Sequence, residues 1–390
     1  MRLGPALTRN VVLLGVVSLL ADVSSDMVMP LLPAFLLTLG AGAGYLGAIE
    51  GAAEATAALL KYVSGRWADR VQKLRPLAIA GYGLAGFARP FLSVAQAPWQ
   101  VLLIRNVDRV GKGVRTSPRD KLLAASTEPS RLAEAFAFHR GMDNAGAALG
   151  PLLATALLLL WPGELRRVFL LAAVPGALAV LILFGVREEA QTPPAGVPGV
   201  HLVHDGPPAR VPIRLLAPIA LFTLGNSTDA LLILRAQTLG VPTPQLPVLW
   251  ALLNATRSLL SWPMGRAADR LGRRYALMAG WVWYAICYAG FAWAGARWQM
   301  WALFPAYGLV AALTEGTERA LVAASVPAER RGRALGVYNL VSGAGLLAAS
   351  VIAGQVWDHI SPQAALLLGG AFALMAAVLL GAAFRPAGQA

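Results

Sequence analysis

Apolar runs alternate with short polar, basic stretches along the whole chain. A helix needs roughly 20 apolar residues to cross a hydrocarbon core. The pattern predicts twelve such spans, an all-α integral membrane protein. Their limits are 11–38, 43–64, 76–95, 98–122, 132–159 and 166–185, then 213–238, 245–264, 275–295, 298–322, 332–357 and 362–384. The stretch from Val11 to Leu20 continues past Asp22 into a second apolar run and shows no cleavage-site pattern. It reads as a retained first helix rather than a signal peptide. The longest polar segment follows span six and carries Glu188, Glu189, several prolines, His201 and His204. It reads as a flexible linker.

A repeat runs through this pattern. Gly65-Arg66-Trp67-Ala68-Asp69-Arg70 returns 200 positions later as Gly265-Arg266-Ala267-Ala268-Asp269-Arg270. Each hexapeptide reads as a basic loop between two apolar runs. The match extends outward. Ser24-Ser25-Asp26 corresponds to Ser227-Thr228-Asp229 at an offset of 203, and Leu122–Ser126 to Leu321–Ser325 at 199. Two six-helix bundles of equal topology follow, at 1–186 and 213–390 with a linker at 187–212, related as parallel repeats about an axis along the membrane normal.

Composition agrees. Of 390 residues, 57% are hydrophobic and 14% charged, against about 25% charged in a soluble domain. The net charge of +13 could suggest nucleic acid. However, the cations gather in alternate short loops, at Arg66, Arg70, Lys73 and Arg75, at Arg119, Lys121 and Arg131, and again at Arg266–Arg274 and Arg330–Arg333. That is the positive-inside pattern, so no nucleic-acid partner is expected and both termini are placed in the cytoplasm. The one cysteine, Cys287, lies in an apolar run and excludes a disulfide framework. Gly111-Lys112-Gly113 lacks the upstream glycine spacing of a phosphate loop, and no nucleotide fingerprint or catalytic triad is present. Neither enzyme activity, a cofactor nor ATP as energy source is expected.

The hexapeptides, extended to Lys73 and to Gly272-Arg273-Arg274, resemble the signature loop of the major facilitator superfamily, with Gln72 where the loop glycine is usual. The resemblance covers essentially the whole chain. It implies that Gly65, Asp69, Arg70, Gly265, Asp269 and Arg270 form cytoplasmic gating loops, the glycines allowing close helix approach. Gly146, Gly150 and Pro151 resemble the family's antiporter motif in span five, although Ala154 and Thr155 replace the trailing glycines and plain helix packing would use the same small residues. Asp108–Asp120 and Asp22–Pro30 look like a bacterial subgroup, which implies the inner membrane.

Charge inside the spans carries the candidate chemistry. A charge at mid-bilayer costs at least about 2.5–3.5 kcal/mol, so such groups face one another or a wet cavity. Helical spacing puts Arg105, Asp108, Arg109, Lys112, Thr116 and Arg119 on one face of span four, and Glu50, Glu54 and Lys61 on one face of span two. Asp22, Asp26, Glu54, Asp143 and Asp229 are the proton-coupling candidates, Asp26 foremost. Burial raises a carboxyl's proton affinity and a nearby cation lowers it, which lets such a group load and release a proton. Arg105, Arg109, Lys112 and Arg257 are the cavity cations. Glu50, His139, Asn226, Asn254, Trp250, Tyr284, Tyr307 and Glu315 are candidates to line a substrate cavity. Glu315 and Arg319 are spaced to pair within span ten. Arg115, Arg119, Asp120, Glu318 and Arg319, towards the cytoplasmic ends, read as structural ion pairs. His139, Met142 and Asp143 could instead hold a metal.

The resulting expectation is a monomeric secondary transporter in the lipid bilayer, working by alternating access. It would exchange protons for a small, anionic organic solute, with export favoured. A permease for a metal ion or chelate, and a non-transporting membrane sensor of the same fold, are the alternatives.

Overall fold

The structure is a computed structural model that describes residues 8–71, 73–128, 132–188, 211–327 and 331–383, and every regular element among them is helical. In hydrocarbon a helix satisfies its own N–H and C=O groups, which is why the apolar runs fold this way. The first half contains α1 (Arg9–Asp26), α2 (Leu32–Thr38), α3 (Ala43–Arg70), α4 (Arg75–Ala88), α5 (Pro98–Ala125), α6 (Leu132–Leu160), α7 (Leu165–Leu171) and α8 (Ala173–Leu183). The second contains α9 (Ile213–Gly225), α10 (Ala230–Thr238), α11 (Leu246–Leu271), α12 (Arg273–Trp293), α13 (Trp298–Ala324), α14 (Arg331–His359) and α15 (Pro362–Ala382).

Among the described residues, eight helical stretches have the length and composition to cross a membrane. The remaining long helices, α3, α5, α11 and α13, have 28, 28, 26 and 27 residues and are long enough. Intramembrane polar residues, among them Glu50, Arg105, Asp108, Arg257 and Glu318, dilute their hydropathy. The surface is correspondingly inverted. Phe87, Leu160, Ile286 and Val378 are exposed, while Arg89, Arg105, Asp108 and Glu318 are buried. That distribution suits lipid as the solvent.

Three spans read as continuous are broken. Span one stops as an α-helix at Asp26 and resumes through a 3-10 turn, Met29–Leu31, into α2. Pro30 has no N–H and its ring clashes with the carbonyl four residues back, which is that of Asp26. Span six breaks at Ala172, between α7 and α8, with Pro175 four positions after Leu171. Span seven breaks between Gly225 and Ala230, and no proline stands in the gap. There Asn226, Ser227, Thr228 and Asp229 compete with the backbone for its hydrogen bonds. The Ala230 N–H donates to Thr228 Oγ1 at 3.3 Å, and the Thr228 N–H donates to Ser350 Oγ at 3.0 Å.

The two hexapeptides are not loops. α3 runs through Gly65–Arg70 and α11 through Gly265–Arg270, because Arg, Ala and Trp continue a helix readily. α11 stops only before Gly272, whose φ of +95° is free of strain for glycine alone. A Cβ on Gly265 would meet nothing within 4 Å, so the close helix approach expected there is not made. The side chains of Asp69, Arg70 and Asp269, residue Gln72, and linker residues 189–210 with His201 and His204 lie outside the described part.

Contacts gather the chain into two units. The first comprises Met1–Phe35, Thr56–His204 and Thr243–Ala251. Within it α6 lies directly along α1. A Cβ on Gly150 would sit 2.6 Å from the Val23 carbonyl oxygen and 3.1 Å from the Met27 nitrogen, and Gly146 abuts Leu19 in the same way. The second unit comprises Leu36–Ala55, Asp205–Pro242 and Leu252–Ala390. Within it the first turns of α3 pack on α14, where a Cβ on Gly354 would lie 2.5 Å from the Ala43 carbonyl. The Asp358 carboxylate accepts the N–H groups of Ala43 at 2.9 Å and Gly44 at 2.7 Å, capping the start of α3.

Candidate functional site

In the first unit the deepest charges form a closed cluster. Arg89, at the junction of α4 and the 3-10 turn that follows it, donates from Nε to Asp108 at 2.8 Å and from Nη1 to the Ala21 carbonyl at 3.1 Å. Arg105, 1% exposed, reaches the other Asp108 oxygen at 3.4 Å and Met29 Sδ at 3.3 Å. Two guanidinium groups thus hold Asp108 as an anion. Arg109 is buried beside them and Lys112 is half-buried on the next turn.

Asp26 sits differently. It ends α1 at the break and accepts a hydrogen bond from Trp250 Nε1 at 2.9 Å. Among the described residues no Lys, Arg or His lies within ion-pairing distance of it. Asp22, one turn earlier, faces Arg115 at 3.8 Å. Arg115 was expected as a structural pair near the cytoplasmic end; it is buried, and its guanidinium lies 4.2 Å from the Tyr82 ring centroid. The Tyr82 hydroxyl is 3.3 Å from Ser18 Oγ, which is 2.7 Å from His139 Nε2. His139 Nδ1 is 3.6 Å from Asp143 on the next turn of α6. Arg119 joins the same chain through Ser18 at 3.3 Å and Asp120 at 2.8 Å. A chain of contacts therefore runs from Asp22 to Asp143 through Arg115, Tyr82, Ser18 and His139, with a cation–π step from Arg115 to the Tyr82 ring. The path occupies Nε2 of His139, and among the described residues no group of three or more His, Cys, Asp or Glu gathers to hold a metal.

The second unit repeats the Asp26 arrangement. Asp229 stands 203 positions after Asp26, at the break of span seven, and accepts from the Tyr307 hydroxyl at 2.7 Å. Tyr284 is fully buried, stacked on Tyr288 with centroids 4.0 Å apart, and donates to the Gly225 carbonyl at 2.9 Å. It braces the break and is packed core rather than cavity wall. Asn226 ends α9, and Asn254 is half-buried on α11. Glu50 is buried and Glu54 half-buried on the part of α3 that belongs to this unit.

Two expectations for span ten are corrected. Glu315 pairs with Arg257 of α11, not with Arg319, because the neighbouring helix offers a guanidinium at closer range than the next turn does. Among the described residues Glu318 has no ion-pair partner. Its oxygens accept from Trp281 Nε1 at 3.2 Å and the Tyr338 hydroxyl at 2.8 Å. Sequence reasoning missed Arg89, Ser18, Tyr82 and Tyr338. An arginine beside a proline inside an apolar run was the available signal for the first. Nothing in the sequence singles out the other three.

The carboxyls thus fall into two kinds. Asp108 is clamped by cations. Asp26, Asp229 and Glu318 are held by neutral donors, which can hydrogen-bond either form of the acid.

A family model described as Major Facilitator Superfamily matches residues 14–255 and 215–389. An uncharacterized MFS-type transporter of Methanocaldococcus jannaschii is 32% identical over 380 residues, covering 96% of this chain and 94% of that protein. An uncharacterized Mycobacterium tuberculosis protein is 29% identical over 386 residues, covering 96% and 93%. Among solved structures, the nucleoside transporter NupG superposes with a TM-score of 0.78 at 14% identity, covering 97% of this chain and all (100%) of that one. A bacterial homolog of the human lysosomal transporter Spinster, inward-facing and unoccupied, gives 0.71 at 15% identity, covering 96% and 94%.

Proposed function

The chain belongs to the major facilitator superfamily, and from that premise we propose how this multi-pass membrane transporter works. It carries a small organic anion by alternating access of its two repeated halves, and it couples that movement to protons. Asp26 is the loading group. Its position at the broken end of α1, bonded among the described residues only to the neutral Trp250 indole, is the observation that carries this reading. Protonation removes the charge while the indole N–H keeps an oxygen to donate to. The cations of α5, buried Arg105 and Arg109 and half-buried Lys112, supply the attraction for an anionic solute. Both termini in the cytoplasm, at the inner membrane of a bacterium, fit the loop charges, and the resemblance of Gly146, Gly150 and Pro151 to the antiporter motif favours exchange of solute outward for protons inward. Asp229, in the equivalent position, is the second candidate for loading.

The test begins with the purified protein in a thermal-shift screen against organic anions, organic cations and metal salts at two pH values. The compound that stabilises most is then followed in proteoliposomes under an imposed pH gradient. Asp26→Asn is expected to melt as the wild type does and to lose gradient-driven flux. Gradient-driven flux equal to wild type in that variant refutes the assignment. Stabilisation by a metal and by no organic compound refutes the substrate class.

A further inference from the structure

Glu318 is a buried acid that the proposed loading site does not use. It is 6% exposed, on the sixth turn of α13, and both its oxygens are bonded to neutral groups, Trp281 Nε1 from α12 and the Tyr338 hydroxyl from α14. Among the described residues it has no ion-pair partner. Arg319, the next residue, is exposed, and Glu315 one turn back is taken by Arg257. Those two charges act on Glu318 only through space and with opposite sign. Trp281 does not titrate, and it is itself fixed by stacking on Phe222 of α9 at 5.1 Å. Tyr338 is the single titratable side chain bonded to the acid.

The internal repeat makes this more than an isolated buried acid. At the offset of 199, Tyr82 corresponds to Trp281, Arg119 to Glu318 and His139 to Tyr338. In the first half Tyr82, Arg119 and His139 converge on Ser18, at 3.3, 3.3 and 2.7 Å. In the second half the counterparts of Tyr82 and His139, Trp281 and Tyr338, converge on the carboxyl of Glu318, the counterpart of Arg119. The same place in the fold thus holds a guanidinium in one half and a carboxylic acid in the other. A guanidinium keeps its charge at every accessible pH, whereas a carboxyl does not. A bare carboxylate buried without a cation is strongly disfavoured against its neutral form.

We propose that Glu318 is a second proton-binding site, confined to the second half and separate from Asp26. The proton is held on the carboxyl, with the Tyr338 oxygen as acceptor and the Trp281 N–H donating to the other oxygen. Relaxing the α12–α13–α14 contact admits water and releases it. The use of this proton in coupling rests on the transport reading above; its binding does not.

Binding is tested on the purified full-length protein, with the proton itself as the probe. Infrared difference spectra between low and high pH, in H2O and in D2O, report protonated carboxyl groups through the C=O stretch. Glu318→Gln preserves shape and is expected to lose one deuterium-sensitive component that Asp26→Asn retains. Tyr338→Phe removes one hydrogen bond from the carboxyl and is expected to move that component to higher frequency without abolishing it. A complete carboxyl band in Glu318→Gln overturns the proposal. If Glu318→Gln does not fold, Tyr338→Phe decides, and an unmoved band overturns it. Loss of gradient-driven flux with this component intact would concern Asp26 and leave Glu318 standing.

Discussion

Substituting alanine for Gly150 tests whether α6 holds the broken end of α1 in place. The added Cβ would lie 2.6 Å from the Val23 carbonyl oxygen and 3.1 Å from both Val23 Cα and the Met27 nitrogen. An ordinary carbon–oxygen contact is about 3.4 Å, so the two backbones must separate by roughly 0.8 Å. Neither side can turn away, because the obstacle is main chain on both. Overpacking of this kind costs about 1–3 kcal/mol. Alanine also gains up to about 1 kcal/mol over glycine inside a helix. Gly141 on the same helix separates the two effects, since a Cβ there meets nothing within 4 Å. Gly141→Ala should melt at or slightly above the wild-type temperature in detergent, and Gly150→Ala clearly below it. The displaced segment, Val23–Met27, contains Asp26, so the 2.9 Å bond from Trp250 should weaken as well. Trp250→Phe then adds little to Gly150→Ala, where independent sites would add fully. Equal melting of the two glycine variants would refute the account of this seam.

Other outcomes follow from the same contacts. Arg89→Met leaves Asp108 buried with half its cationic support and should cost about 3–5 kcal/mol, seen as a sharp fall in folded yield. Asp108→Leu alone should cost at least as much, because it leaves Arg89 and Arg105 buried without the carboxylate they share. Asp358→Ala removes the acceptor for the Ala43 and Gly44 N–H groups and should cost about 0.5–2 kcal/mol. Faster amide exchange confined to the first turn of α3 would register it, and unchanged exchange there would contradict the cap.

The sequence carries the spans and the duplication because both are one-dimensional. Hydrophobic run length and fixed offsets need no knowledge of neighbours. The breaks were visible in part. Pro30 sits four residues after Asp26 and Pro175 four after Leu171, which is the spacing at which a proline disrupts a helix. The gap in span seven has no such marker; it takes Ser350, far along the chain, to complete it. Partner choice was the least legible. Periodicity shows Arg319 one turn from Glu315, but only the packing of α11 brings Arg257 nearer. Likewise the pattern marks Glu318 as a charge near a helix end, whereas its neutral environment comes from two other helices. The hexapeptides resembled loops because they are polar, yet polarity does not end a helix; Gly272 does.

Two hydrogen bonds join positions that the ribosome makes far apart in time. Asp26 at the end of α1 waits for the Trp250 indole, and the Thr228 N–H in the gap of span seven waits for the Ser350 hydroxyl. Until those partners emerge, each break leaves polar groups in the membrane interior with nothing of the final fold to meet them. The first half cannot therefore mature when its own six spans have been made, since it lacks a donor encoded in the eighth. A ribosome paused after span six should leave a chain that is inserted but still sensitive to protease, and protection should come only once span eight has been released.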